Sequence, residues 1–281
     1  MTIYPIQITT TDKYPLKAYA FKAQKPIAKV LIGCAMGTPQ SFYRPFAKWL
    51  CDQGYDVLTF DYRGMFESGG SNGPRTEASF ELWGKQDLSA AAQHLWKDED
   101  EGFELKKIYI GHSLGAQLFT SCHLKNRFDL FLSVAIGNGY WPKLKTFKAK
   151  IGLFAVTQLW GPLLTPILGY FPGRRLKKVG DLPAGVIKQW SKWCAQAKYH
   201  LVDNSQVKLA ADLSLPIVMF YSNDDDVFTR NNILFFFESF GSQQKRLVEI
   251  EANTYQSFIG HHGYFKPRFR ETLWPEIMRL L

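Results

Sequence analysis

Apolar runs of strand length alternate with segments of helical periodicity along most of this 281-residue chain, and that alternation predicts an α/β fold. The predicted strands are 3–10, 16–23, 29–34, 56–62, 107–111, 130–137, 216–222 and 246–252. The predicted helices are 42–53, 80–97, 114–125, 230–240 and 268–281. The central strand runs are apolar throughout instead of alternating, so we expect a mostly parallel sheet of about eight strands with helices on both faces. The first two strands flank a turn at 12–15 and predict an antiparallel hairpin.

One long segment interrupts the alternation, because the strand at 130–137 is followed by the next predicted strand only at Pro216. That distance exceeds what a crossover helix needs. We therefore predict an α/β core over 1–140 and 213–281, and an inserted helical cap over 141–212. The cap holds one predicted helix at 186–199.

The cap also contains an uncharged run from Ile151 to Pro172 that is long enough to span a bilayer. Glycines and prolines punctuate the run, and the chain after it must return to the same sheet. We therefore expect short cap helices that cover the site, with a membrane span as the less favoured alternative.

Charge is distributed unevenly along the chain, which carries 34 Lys and Arg against 25 Asp and Glu, a formal net charge of +9. No acidic residue occurs between Pro142 and Gly180. The basic residues there are Lys143, Lys145, Lys148, Lys150, Arg174, Arg175, Lys177 and Lys178. A basic rim beside an apolar lining suits an acyl chain with an anionic head group, or peripheral contact of 142–180 with an anionic membrane. A solvated face without a ligand role is an equal alternative.

Several classes of protein are disfavoured by the sequence. The basic segment lacks an identifiable motif for reading nucleic acid, so no nucleic-acid partner is expected. The four cysteines are scattered without a C-x-x-C pair or a zinc-like spacing, so we expect no disulfide framework, metal or cofactor. The first residues lack the basic and apolar regions of a signal peptide, and the expected location is the cytoplasm, with membrane association as a possibility.

The pattern G-x-S-x-G at Gly111 to Gly115 stands between a predicted strand and a predicted helix. Small residues on either side of Ser113 permit a sharp turn that exposes the hydroxyl above a helix N-terminus. The alternative is a glycine-rich turn in which the serine only caps the helix. The context favours Ser113 as a nucleophile.

A serine nucleophile requires a histidine base and a carboxylate, which in this kind of fold follow in the order serine, acid, histidine. Two loops at the carboxyl edge of the predicted sheet supply them. Asp225 is the preferred acid, with Asp224 second, and His261 is preferred to His262 as the base. A calcium site at the aspartates lacks the glycine and distant glutamate of an EF-hand loop. His112 is expected to point away from Ser113.

Acyl transfer also needs donors for the oxyanion that forms in the transition state. We expect the amide of Leu114, directly after the nucleophile, to be one donor. Met36, in the loop after the first parallel strand, is the predicted second donor.

The segments VLIGCAMGTPQSFYRPFAKWLCDQGYDVLTFDYRG, IGHSLG, VMFYSNDDDVF and IGHHGYF resemble the α/β-hydrolase superfamily over roughly 29–265. The stretches GNGYW and GRRLKKVGDLPAGVIKQWSKWC are similar to a bacterial group of predicted α/β-hydrolases related to serine-aminopeptidase-like and lysophospholipase-like members. The resemblance implies a triad of Ser113, Asp225 and His261, with an oxyanion hole at Met36 and Leu114. Cys34-Ala35 replaces the common His-Gly. A large Phe66 replaces a usual glycine and is expected to narrow the site.

These observations predict a serine hydrolase that cleaves a carboxylic ester, such as an acyl ester or a lysophospholipid-like molecule, through an acyl-enzyme on Ser113. A thioesterase, amidase or acyltransferase with the same triad is the first alternative. A non-catalytic protein that docks on anionic membrane through its basic cap is the second.

Overall fold

The computed structural model describes residues 2–97, 105–176 and 179–280 and contains the predicted α/β sheet. Its main-sheet strands are β1 (Thr2–Thr9), β2 (Pro15–Lys22), β3 (Ala28–Gly33), β4 (Tyr55–Phe60), β5 (Lys106–His112), β6 (Leu130–Val134), β9 (Ile217–Ser222) and β10 (Lys245–Ile250). Their order in the sheet is β1-β2-β4-β3-β5-β6-β9-β10. β1 and β2 form the antiparallel hairpin, β2 pairs antiparallel with β4, and the remaining pairs are parallel. The predicted fold class is confirmed.

Helices cover both faces of the sheet and build the segment between β6 and β9. They are α1 (Arg44–Asp52), α2 (Phe80–Leu82), α3 (Ser89–Lys97), α4 (Leu114–Leu118), α5 (Phe147–Phe154), α6 (Gly161–Leu168), α7 (Ala184–Cys194), α8 (Asn204–Ala211), α9 (Arg230–Ser239) and α10 (Leu273–Met278). A small antiparallel ribbon of β7 (Tyr170–Phe171) and β8 (Leu182–Pro183) lies between α6 and α7. The division into a core and a cap at 141–212 stays a prediction.

The central strands are buried on both faces, as their continuous apolar sequences predict. Every residue of β3 and of β4 is buried. Within β4, the buried Thr59 hydroxyl donates to Gln40 Oε1 at 3.0 Å. All carboxyl ends of the parallel strands meet at one edge, where the loops that follow them form the site described below.

Several helices are shorter than predicted, and each ends for a local reason. The helix predicted over 114–125 ends at Leu118, and after a 3-10 turn at Phe119–Ser121 the backbone becomes extended at Cys122, with φ −68° and ψ 127°. The helix predicted over 186–199 ends at Cys194, before Tyr199 takes a φ of 46° that a helix excludes. The last helix spans only 273–278 of the predicted 268–281, and Leu281 lies outside the described residues.

The expectation that glycine and proline break the uncharged run into short helices is wrong. Residues 147–168 form one uninterrupted helix, in which the π-helical turn Ala155–Trp160 joins α5 to α6. We call it the lid helix. Pro162 follows the π-helical turn, and Pro166 lies inside α6, yet neither ends the helix. Gly169 then ends the helix with a φ of +75°.

The lid helix meets the length and hydropathy expected of a membrane span, with a mean hydropathy of 1.5. Only 17% of its most apolar 18-residue window is buried within the protein. Helices of soluble proteins also pass this test, so the pattern by itself does not establish a span.

A buried arginine ties the N-terminal hairpin to the core. Arg63, after β4, bonds through Nε to Asp87 Oδ1 at 2.6 Å and through Nη1 to Asp12 Oδ2 at 2.5 Å. Burial raises the pKa of Asp87 to about 7, even though Arg63 opposes the shift. Loss of Arg63 would therefore leave a buried carboxyl without its charge partner.

Candidate active site

Ser113 occupies a strained turn between β5 and α4, with φ 50° and ψ −111°. A side chain at Gly111 would place its Cβ 2.5 Å from the Ala116 Cα, and one at Gly115 would place it 2.3 Å from the Gly33 carbonyl oxygen. Both glycines of the motif are thus required by backbone contacts of the turn. A serine held at positive φ is the kind of strained residue that clusters at functional sites.

Ser113 and His261 lie within hydrogen-bonding distance across the carboxyl edge of the sheet. The Ser113 hydroxyl is 3.0 Å from His261 Nε2, and both side chains are more than nine-tenths buried. His261 reaches this position from the loop after β10, where the amide of His261 donates to Asp226 Oδ1 at 3.2 Å. The geometry allows His261 to accept the serine proton.

Asp225 completes the arrangement from the turn after β9. His261 Nδ1 donates to Asp225 Oδ2 at 2.9 Å, and the amides of Val227 and Phe228 donate to Oδ1 at 2.7 and 2.9 Å. Burial pushes the pKa of Asp225 upward, but His261 and these amides outweigh it and hold the pKa below its ordinary value. The carboxylate therefore stays ionised and fixes the orientation of the imidazole.

The other two aspartates of the run hold the histidine loop instead. Asp224 accepts the amides of Ile259 and Gly260, both at 2.8 Å, and the hydroxyl of Ser222 at 2.7 Å. The structure therefore joins Asp225, and not Asp224, to the imidazole. The exposed His262 follows His261 in the same loop and lines the rim of the cavity.

The two predicted oxyanion donors lie beside Ser113. Met36 and Leu114 line the same cavity as Ser113. Neither amide takes part in a hydrogen bond among the residues that the structure describes, so both remain available to a ligand. Met36 is followed by Gly37, whose φ is +64° and whose Cβ, if present, would lie 2.7 Å from the amide nitrogen of Gly180. The loop that carries Met36 thus packs directly against the segment between β7 and β8.

A chain of hydrogen bonds that sequence reasoning missed links three parts of the site. The amide of Ala35 donates to the Tyr43 hydroxyl at 2.8 Å, and that hydroxyl donates to His112 Nδ1 at 2.7 Å. His112 Nε2 donates in turn to the carbonyl of His261 at 2.9 Å. His112 points away from Ser113 as expected, and burial lowers its pKa well below the ordinary value, so the ring is neutral.

The site opens into a cavity of about 400 Å³ with mostly apolar walls. The lid helix contributes Ala149, Leu153 and Val156 to it, and Trp190 and Phe228 line it from elsewhere. Lys148 of the lid helix also lines the cavity, although much of this residue is exposed to solvent. The expectation that Phe66 narrows this cavity is wrong, because its ring packs below Arg174, 5.7 Å from that guanidinium carbon, and does not line the wall.

Across 2–97, 105–176 and 179–280, no group of three or more His, Cys, Asp or Glu side chains is arranged to hold a metal ion. The four cysteines are buried free thiols.

The eight-stranded sheet, the strained serine turn and the serine–histidine–aspartate contact together define an α/β-hydrolase. The family described as serine aminopeptidase, S33, matches residues 24–254, and the chain belongs to it. The predicted superfamily is thereby confirmed. A comparison with curated proteins finds no match.

Solved structures with the same fold match nearly the whole chain. A soluble variant of monoglyceride lipase from Saccharomyces cerevisiae, in complex with a substrate analog, is 15% identical with a TM-score of 0.72, over 100% of this chain and 95% of that one. The Pyrococcus furiosus esterase Pf2001 is 16% identical with a TM-score of 0.63, over 100% and 89%. The α/β-hydrolase domain-containing protein 10 from mouse is 13% identical with a TM-score of 0.60, over 99% and 98%. At these identities the likeness shows the fold alone.

Proposed function

We propose that the protein hydrolyses a carboxylic ester with an apolar acyl chain, through an acyl-enzyme on Ser113. The observation that carries the proposal is the unbroken contact from Ser113 through His261 to Asp225 at the base of an apolar cavity. The family match and the fold shared with a monoglyceride lipase and an esterase support the same class of reaction.

In the proposed reaction, His261 Nε2 takes the Ser113 proton as the serine oxygen attacks the ester carbonyl. Asp225 stabilises the imidazolium that forms, and the amides of Met36 and Leu114 stabilise the negative charge on the carbonyl oxygen. His261 then protonates the departing alkoxide. A water molecule, deprotonated by His261, releases the acid and restores Ser113.

The cavity supports an acyl substrate because its volume lies within the usual range for small-molecule sites and its walls are mostly apolar. Lys148 at the cavity supports a preference for an anionic head group, such as the phosphodiester of a lysophospholipid. Asp226 also lines the cavity, and its Oδ1 already accepts a hydrogen bond from the amide of His261.

A fluorophosphonate probe tests the nucleophile. We expect labelling of the wild-type protein and none of Ser113→Ala at equal fold stability. A folded wild-type protein that resists the probe would contradict the acyl-enzyme.

Hydrolysis of glycerol and glycerophosphate esters of increasing acyl length tests the substrate class. We expect kcat/KM to rise with acyl length, and Lys148→Gln to lower it only for the phosphate-bearing esters. Aminoacyl anilides serve as the control. If the protein hydrolysed the anilides faster than the esters, the proposed esterase activity would be wrong and a peptidase activity would take its place.

A further inference from the structure

The lid helix presents a continuous apolar surface away from the cavity. Its most exposed large side chains lie in one line, which we call the outer face: Phe147, Ile151, Phe154, Leu159, Leu163 and Ile167. Each has between 40% and 77% of its surface exposed. The steps between them are three or four residues except from Phe154 to Leu159, and the wider i→i+5 spacing of the π turn accommodates that five-residue step. The π turn therefore keeps both halves of the helix on one line.

The inner side of the same helix contacts the rest of the protein through Val156, Thr157 and Gly161, which are buried. Leu153 and Val156 form part of the cavity wall, and Gln158 Nε2 donates to the carbonyl of Ser191 at 3.0 Å. At the N-terminal end, the Thr146 hydroxyl donates to the carbonyl of Asp226 at 2.9 Å. A span across a bilayer would break these contacts and open the cavity. The helix can meet a membrane only with its outer face, lying in the plane of the surface.

A line of six exposed large apolar side chains on one helix marks an interaction site, because monomeric soluble proteins rarely expose a large contiguous apolar patch. The charge beside it identifies the partner. Lys143, Lys145 and Lys150 stand near the start of the helix, and Arg174 and Arg175 follow its end, with no acidic residue between Pro142 and Gly180. A second copy of the chain would bring like charges together. An anionic lipid surface matches both the apolar face and the basic flanks.

We propose that the outer face of the lid helix docks in the plane of an anionic lipid bilayer, which brings the roof of the Ser113 cavity to the lipid surface. This inference rests on the proposed ester hydrolysis and adds that the enzyme encounters its substrate at the lipid surface. Docking itself requires no turnover.

Vesicle flotation tests the docking with Ser113→Ala protein, so that binding is measured without hydrolysis. We expect co-flotation with vesicles of phosphatidylcholine and phosphatidylglycerol, and at least about tenfold weaker association with phosphatidylcholine alone. The double variant Ile151→Ser/Ile167→Ser should lower partitioning at least about tenfold. Ile27→Ser is the matched control, because Ile27 is 60% exposed outside the lid helix, and it should float like the parent protein.

A second variant tests the basic flanks. Lys143→Gln/Arg175→Gln should reduce association with the anionic vesicles only, as should added salt. Equal flotation with both vesicle types, or normal flotation of the Ile151/Ile167 variant, overturns the proposal. A concentration-dependent dimer that the same variant abolishes also overturns it and assigns the face to a second copy.

Wild-type turnover of a soluble short-chain nitrophenyl ester separates the two proposals. Flotation without turnover would overturn ester hydrolysis and leave docking standing. Turnover without flotation would overturn docking alone.

Discussion

Each of the three consecutive aspartates after β9 has a different set of partners, although their sequence positions suggest equivalence. Only Asp225 contacts the imidazole of His261, whereas Asp224 holds backbone amides of the histidine loop. We therefore expect Asp225→Asn to lower kcat about 10⁴-fold, because the amide no longer stabilises the imidazolium or selects its tautomer. Steady-state kinetics on a short-chain ester measures the loss.

Asp224→Asn is the matched control for this change. Its expected effect is a lower free energy of unfolding, by about 1–3 kcal/mol, with a much smaller loss of kcat than for Asp225→Asn. If Asp224→Asn alone abolished turnover in a folded protein, the assignment of the acid would be wrong.

The Tyr43 hydroxyl sits between the amide of Ala35 and the ring of His112, and both depend on it for a partner. Tyr43→Phe should lower the free energy of unfolding by about 1–3 kcal/mol, since it leaves buried polar groups unsatisfied. Urea denaturation measures this change. Phe42→Leu, at the neighbouring ring outside the hydrogen-bond chain, provides the comparison, and equal losses in the two variants would show that packing alone is responsible.

Local sequence patterns predict three residues that the structure brings within hydrogen-bonding distance of one another. Ser113 lies between two glycines after an apolar strand, and His261 and Asp225 follow strands that end at the same edge. Tyr43 has no such local signal, because its partner His112 lies 69 residues away along the chain. Its role depends on how the 3-10 turn Gln40–Tyr43, just before α1, packs against the end of β5, which no single-sequence pattern predicts.

At the scale of elements, two helical glycines of this chain differ in the space that surrounds them. A Cβ at Gly115 in α4 would meet the Gly33 carbonyl, whereas one at Gly152 in the lid helix would have no atom within 4 Å. Gly152→Ala should raise the free energy of unfolding by up to about 1 kcal/mol, through helix propensity. Gly115→Ala should destabilise by several times that amount. Thermal and urea denaturation compare the two, and similar effects would contradict the close contact at Gly115.

Strands were predicted within one or two residues where burial on both faces makes the sequence apolar throughout, as for β3 and β9. The lid helix was mispredicted because helix-breaking residues act by position. Pro162 follows the π turn, and Pro166 lies inside α6 without ending the helix. Neither the π turn nor the ribbon of β7 and β8 has a sequence signature at this length.

At the scale of the whole molecule, we expect His200, a buried histidine remote from Ser113, to contribute to the loss of stability in acid. Both ring nitrogens of His200 are buried without a hydrogen-bond partner among the described residues, and the ring stacks on Phe236. Burial lowers the pKa of His200 to about 3, from an ordinary 6.5. Above pH 6.5, His200 is neutral in both the folded and the unfolded state. As the pH falls from 6.5 toward 3, only the unfolded state takes up the proton, and stability declines.

His200→Phe should therefore make the protein less sensitive to acid. Between pH 6 and 4 we expect its free energy of unfolding to fall less steeply than that of the wild type, by about 1.4 kcal/mol per pH unit where the difference is fullest. Urea titrations at several pH values measure both slopes. Parallel slopes would mean that His200 does not govern the acid limb.

The contact between Gly37 and Gly180 has a consequence for how such a protein can be re-engineered. A Cβ at Gly37 would lie 2.7 Å from the amide nitrogen of Gly180, whereas a Cβ at Gly180 would meet Gly37 only at 3.6 Å, so the constraint falls on residue 37. Exchange of the inserted segment with that of a relative, as a route to a new specificity, should therefore keep glycine at 37 and the close backbone approach at 180 as a pair. Chimeras made with and without that pair would differ in solubility before any difference in substrate preference could be measured.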